Sequence, residues 1–187
     1  KPISFKKKMV DDAFRYAEAR DVLIVGSAGN ENIELNAKNL HYPLDFDEKE
    51  NEISNNFICV GSISNVLDKK FKSSFSNYGK KHVDIFAPGQ EVYTTINDNQ
   101  YGYISGTSLA APIISGIAAL IKSNYPNLSP SQIKEIILES GIQYNIEVEI
   151  RQDGAKKLVP FSELSKSGKV VNAYNALLLA EQMSKNK

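Results

Sequence analysis

The sequence predicts an α/β fold organised on a mostly parallel sheet. Three observations carry that expectation: short apolar runs rich in β-branched residues, stretches of helical periodicity, and an order in which the two alternate. Taken in order, residues 9–20 read as a helix with Val10, Ala13, Phe14 and Ala17 on one face. Strands are expected at 22–28, 57–62 and 83–87, the first opening on the apolar, β-branched run Val22-Leu23-Ile24-Val25 that points to burial. Residues 90–105 pattern as a hairpin, with Glu91 to Ile96 answered by Tyr101 to Ile104 across the polar turn Asn97-Asp98-Asn99. A helix follows at 107–123, in which Gly116, Ala118 and Ala119 permit close packing on a buried element. The next, at 130–139, starts with Ser129 as its cap and Pro130 at its first position. Between it and a last helix at 171–184, Ile146, Val148 and Ile150 alternate before a turn at Asp153-Gly154, which suggests an added hairpin. There are no internal repeats, no low-complexity linker and no clear second domain.

Composition narrows the classes of partner. The 187 residues carry 22 basic and 22 acidic side chains, a balance that argues against nucleic acid or anionic membranes. Lys6-Lys7-Lys8 reads as a solvated helix start, and the longest apolar run, 111–121, is too short to span a bilayer. A lone Cys59 precludes an internal disulfide, and its apolar neighbours mark it as a buried strand residue. Lysines far outnumber arginines and asparagine is abundant, as expected of an AT-rich bacterial genome. The chain opens with neither an initiator Met nor a signal peptide, so targeting information is expected to have been removed or never present.

The chemistry concentrates in Ser105-Gly106-Thr107-Ser108-Leu109-Ala110-Ala111-Pro112. Ser108 would sit on the first turn of a helix, facing the positive end of the macrodipole and N–H groups without intrahelical partners. Both favour an attacking alkoxide and the oxyanion that it generates. Gly106 is expected to turn the chain tightly before the serine, and Pro112 to fall near the end of the first turn, where its missing N–H costs little. On its own, G-T-S would be no more than an N-cap. Upstream, Val22 to Val25 leads into Gly26-Ser27-Ala28-Gly29-Asn30-Glu31-Asn32, a buried strand whose carboxyl end presents an amide. Ligand sites of open parallel sheets lie at such ends. In isolation Asn30 would be only a turn residue.

Together the two segments resemble the subtilisin-like serine proteases (subtilases, peptidase family S8), the eight-residue run almost residue for residue. Phe75-Ser76-Asn77-Tyr78-Gly79, Val83 to Gly89 and Gly168 to Ala173 are similar to scaffold signatures of the same family. The likeness runs from 9 to 182 apart from 145–167, an atypical insertion. It departs at Ile113, where the family commonly has a histidine outside the triad. The resemblance implies a three-layer fold with a buried nucleophile helix, Ser108 as nucleophile, and the Asn30 side chain with the Ser108 N–H as oxyanion donors. It further implies that Gly26, Ser27, Ala28 and Gly29 line the pocket for the residue before the scissile bond, with Glu31 at its rim and Thr107 on the substrate side. Substrates would be peptides or proteins in extended conformation, outside the cell or in the envelope or periplasm of a bacterium.

A serine of this kind needs a histidine and an acid. The two histidines, His41 in a polar loop and His82 before a strand, follow Asn30 and lack the family's histidine motif; neither of its acid motifs occurs, and Asp153-Gly154 comes too late. In family order both partners precede the asparagine. The chain therefore reads as the C-terminal part of one catalytic domain, inactive alone and partnered by the missing N-terminal half, with His41 the first candidate for an unconventional base. The alternatives are a non-catalytic relative that binds peptide in the same groove, and an unrelated serine hydrolase, which the absent G-x-S-x-G elbow disfavours. No cofactor is evident. Structural calcium, common in the family, could involve the acidic run Asp45, Asp47, Glu48, Glu50 and Glu52, which otherwise reads as a solvated face.

Overall fold

Residues 57–63 show how the pattern becomes a sheet. All seven are buried, with Phe57 and Cys59 packed into one core and Ile58 and Val60 into another. Side chains alternate across a strand, so one continuous apolar run serves two opposite faces. The computed structural model describes residues 5–39, 41–47, 49–152 and 154–185, with the side chains of Phe5 and Lys6 left aside. Helix α1 (Phe5–Glu18) leads to strands β1 (Ile24–Ser27), β2 (Phe57–Ile63) and β3 (Ile85–Pro88), then to a hairpin of β4 (Val92–Ile96) and β5 (Gln100–Ile104). Helices α2 (Thr107–Asn124) and α3 (Pro130–Glu139) follow, then β6 (Ile142–Gln143), a second hairpin of β7 (Glu147–Gln152) and β8 (Ala155–Pro160), β9 (Lys169–Val170) and α4 (Ala173–Lys185).

The main sheet has the order β1-β2-β3-β9-β6, parallel except for β6. Helices α2, α3 and α4 cover one face, where Ile58, Val60, Ile85 and Ala87 meet Ile114, Ile117, Ile121, Ile136 and Ala176. On the other face Phe57, Ile63 and Phe86 pack with Phe14 of α1 and with Phe71, Val148, Ile150 and Phe161. Each such fully buried apolar side chain stabilises by about 1.5–3 kcal/mol. This is the α/β arrangement that the alternation of runs predicts. Ser129 caps α3 through a reciprocal pair with Gln132, and the 145–167 stretch does form a hairpin, held to the core by Val148 and Ile150. Asp153 of its turn lies outside the described residues.

Three expectations need correction. Gly116 and Ala119 are exposed, and nothing described lies within 4 Å of a Cβ placed on Gly116, so that face of α2 is bare. Lys7 is 7% exposed and its Nζ lies 2.7 Å from Asp11, one turn on, so it is no solvated residue. The acidic run is not uniformly a solvated face either. Asp45 is buried, and Glu50 and Glu52 are held by Lys81 and Lys166, while Glu48 lies outside the described residues. Asp47 is spent on its own turn, accepting from the Lys49 and Asn51 N–H groups. Among the described residues no three His, Cys, Asp or Glu side chains converge as a metal-binding group, and the described carboxylates of this loop are buried or paired as above.

Burial of Asp45 makes stability depend on pH. Desolvation, then the charge of Asp84, push its carboxyl from the usual 3.8 to about 7. The folded state therefore holds this proton more tightly than the unfolded chain, and stability falls as pH rises from about 4 to about 7. Above that the full penalty remains, on the order of a few kcal/mol. Asp45→Asn should accordingly be more stable than the parent at pH 8 by about 2–4 kcal/mol, with the gap nearly closed at pH 4.5. Urea unfolding at the two pH values measures it; a gap independent of pH would show that Asp45 is not the titrating group.

Candidate active site

Ser108 and Asn30 come together because β1 and α2 meet at the carboxyl end of the sheet. Thr107 is the joint. Its N–H and its hydroxyl both donate to Asn30 Oδ1 at 3.0 Å, and the hydroxyl accepts from the Gly29 N–H at 3.1 Å. With Oδ1 doubly engaged, the amide is fixed in one of its two flips and Nδ2 points free; no described residue accepts from it. A Cβ on Gly106 would lie 3.0 Å from Ser108 Oγ and 3.6 Å from Asn30 Nδ2, so both groups border the same small space. Ser108 is exposed on the first turn of α2, and its N–H donates to no described acceptor. Two free donors thus flank a nucleophile at the positive end of a helix.

The sequence reading of Gly106 and Pro112 is refined here. Gly106 has φ 164 and ψ 156, extended backbone open to any residue. Glycine is needed there for space beside Ser108 Oγ. Pro112 lies inside α2, in its second turn, where its missing N–H removes the donor to the Ser108 carbonyl.

Thr107, expected on the substrate side, is 1% exposed, and its hydroxyl is occupied by Asn30 and Gly29. In this geometry it positions Asn30. The Gly26–Gly29 segment ends β1, with Ala28 wholly buried and Gly26 and Ser27 half-buried. Gly29 has φ +98, and a Cβ there would collide with Asn77 Nδ2, Glu31 Oε2 and His41 Nδ1, each about 2.5 Å away. The Glu31 carboxylate accordingly folds back over Gly29, accepting from Asn77 Nδ2 at 2.5 Å and lying 3.4 Å from His41 Nδ1.

Asn77 was not legible as part of the site. It is fully buried; its Oδ1 accepts from the Glu31 and Ile33 N–H groups, and its Nδ2 donates to the Ala28 carbonyl. It clamps the loop that carries Asn30. The signal was available in Phe75-Ser76-Asn77-Tyr78-Gly79, since an amide in a turn supplies both donors and acceptors. Neither histidine serves Ser108: His41 faces Glu31, and His82 is buried against Phe46 with Nε2 3.5 Å from Glu50. Burial lowers the His82 pKa, which keeps that ring neutral. Among the described residues, the Ser108 hydroxyl and the two free donors beside it have no histidine or carboxylate in place to act as a general base.

The chain is similar to known proteins in both sequence and fold. The Subtilase family (Peptidase_S8) matches residues 1–168. Subtilisin DY of Bacillus licheniformis is 35% identical over 128 residues, 68% of this chain and 41% of that protein. The major intracellular serine protease of Bacillus subtilis (strain 168) is 38% identical over 117 residues, 60% of this chain and 32% of that one. The chain thus spans less than half the length of these relatives. In fold it is similar to a chain of the subtilase cytotoxin SubAB assembly, with a TM-score of 0.73, 23% identity and coverage of 98% of this chain and 57% of that one. The PagA prenylagaramide maturation protease shares the fold at a TM-score of 0.66 and 22% identity, over 90% of this chain and 54% of that one. With the family match extending over most of its length, and the serine and asparagine placed as described, the chain belongs to the subtilase family.

Proposed function

We propose that the protein carrying this chain is a serine endopeptidase, in which Ser108 attacks a peptide carbonyl while Asn30 Nδ2 and the Ser108 N–H hold the tetrahedral oxyanion. The observation that carries this is the engagement of Asn30 Oδ1 by Thr107, which leaves the amide nitrogen free beside Ser108 Oγ. The general base and its acid come from a segment outside residues 1–187, the N-terminal half of the same domain. Two surfaces support that partner. Strand β1 is an edge and only half-buried, although its sequence is that of an interior strand. Beside it the bare face of α2, with Ser115 and Ala119, borders an open cavity of about 240 Å³ lined also by Leu23 and Val25.

The substrate is an extended peptide whose residue before the scissile bond lies against Gly26–Gly29, with Glu31 at the rim. Action outside the cell, or in the envelope or periplasm of a bacterium, follows from the family resemblance, although the Bacillus subtilis relative is named as intracellular. No described helix is long and apolar enough to cross a membrane. The test is a fluorophosphonate probe on the full-length protein. Labelling is expected in the parent and lost in Ser108→Ala, while residues 1–187 alone should hydrolyse no peptide at enzyme-like rates, since triad members act as a unit. Labelling unchanged in Ser108→Ala would remove the nucleophile assignment. A folded, intact protein that never labels would favour a peptide-binding relative.

A further inference from the structure

The chain as a whole is neutral, yet positive charge gathers in one place. A cavity of about 650 Å³ is lined by Lys69, Lys70, Lys72, Arg151 and Lys156, with Glu149 the single carboxylate among its described lining residues. The walls are fixed. Glu149 N–H donates to the Lys69 carbonyl at 2.7 Å, Tyr78 OH donates to the Arg151 carbonyl at 3.0 Å, and Ile150 is anchored in the core. Glu149 is consumed by Lys156 at 2.7 Å, and the hydrogen bond from Lys156, together with the charges of Lys156, Lys69 and Lys70, holds its carboxyl below the usual range.

The floor is more telling. Lys72 is 2% exposed, and its ammonium donates to three neutral oxygens, those of Asn32 Oδ1 and the Ser73 and Ser76 carbonyls, with no carboxylate in contact. Desolvation lowers its pKa to about 8, offset in part by the charge of Glu149, so at neutral pH this buried cation shares its one counter-charge with Lys156. An anion in the cavity would supply a second.

The cavity is tied through the backbone to the segments that carry Asn30 and Ser108, neither of which lines it. Asn32 lies two residues past Asn30, and its N–H donates to the carbonyl of Phe75, another lining residue. Gln90, on the same wall, follows Gly89, whose carbonyl accepts from the Gly106 N–H at 2.8 Å. None of Gly26 to Glu31 lines it. We propose that this basin is a subsite for an acidic side chain of the peptide substrate, at a position remote from the residue held against Gly26–Gly29. The 145–167 hairpin, which supplies Arg151 and Lys156, then has a use: it completes the basin. This rests on the peptidase reading of Ser108, and its test has a readout independent of turnover.

Fluorescence anisotropy of full-length Ser108→Ala is measured with a labelled peptide carrying a run of Glu and with the same peptide carrying Gln. The Glu peptide should bind about fivefold or more tightly at low salt, as a few partly exposed charge pairs allow. The gap should close in Lys69→Glu/Lys70→Glu, two exposed positions, and shrink at 0.5 M salt. Cleavage of a peptide library by the otherwise unaltered protein should then show the acidic preference at one subsite. Equal affinity for the two peptides, or a gap that survives the double substitution, would overturn the proposal. Competition by inorganic phosphate as effective as that by the Glu peptide would overturn the peptide assignment in favour of a plain anion site. Failure of the parent protein to label with the fluorophosphonate, with the binding gap intact, would instead fault the reading of Ser108.

Discussion

Replacing Asn30 with Leu in the full-length protein should lower kcat by about a hundred- to a thousandfold with little change in KM. That magnitude is the one known for loss of such a donor in a subtilisin, a relative of this chain. The split between kcat and KM follows from when the donor acts. Nδ2 has no partner in the resting site and meets a full negative charge only once the tetrahedral oxyanion forms, so its loss falls on the transition state. Thr107→Val gives a smaller effect by a separate route. Without the hydroxyl, Asn30 Oδ1 loses one of its two donors and the buried Gly29 N–H loses its acceptor. A stability loss of about 1–3 kcal/mol is expected, with a partial fall in kcat as the amide samples its other flip. Steady-state kinetics and urea unfolding of both variants measure these effects. An Asn30→Leu protein with nearly intact kcat would show that Nδ2 does not face the oxyanion.

Asp84→Ala should cost about 3–5 kcal/mol, the range for breaking a buried ion pair from one side. Asp84 Oδ2 accepts from the Cys59 N–H at 2.7 Å, and Oδ1 lies 3.4 Å from Lys134 Nζ. Both side chains of that pair are 8% exposed. Alanine leaves a buried N–H without an acceptor in the middle of β2 and a buried ammonium with only the charge of the more distant Asp45 to offset it. Asp84→Asn keeps an acceptor for Cys59 and should fall between alanine and the parent. Thermal unfolding should register the alanine variant as a fall in Tm on the order of 10 °C for a chain of this size. A loss under about 1 kcal/mol would mean that Lys134 finds another partner, Asp45 being the nearest candidate by charge.

How legible these features were depends on how local their causes are. Residues 57–63, the Ser129 cap and the two hairpins follow from side-chain alternation and turn chemistry, which neighbouring residues determine. Strands β6 and β9 have two residues each, too few for any period to show. The start of α4 was displaced because Asn172 caps it, its Oδ1 accepting from the Asn175 N–H at 2.8 Å. Ser108 and Asn30 were legible through motifs. The work of Thr107 and Asn77 was not, because each acts on residues far away in sequence. The same holds for Lys7, Asp45 and Lys72, whose burial depends on what folds over them. A charged residue in a polar stretch looks solvated until its neighbours in space are known.

The open edge of β1 has a consequence for handling the chain by itself. On the side away from β2, the N–H and C=O groups of Val25 and Ser27 project with no described strand to receive them, flanked by the exposed side chain of Val22. No proline, bulge or inward charge interrupts that row, and such an edge is a template for a strand from another molecule. Residues 1–187 made without the rest of their domain should therefore self-associate as concentration rises, one copy's β1 pairing with another's. The same four residues that would form an interior strand of a complete subtilase domain become, in isolation, the feature that decides whether the chain stays in solution.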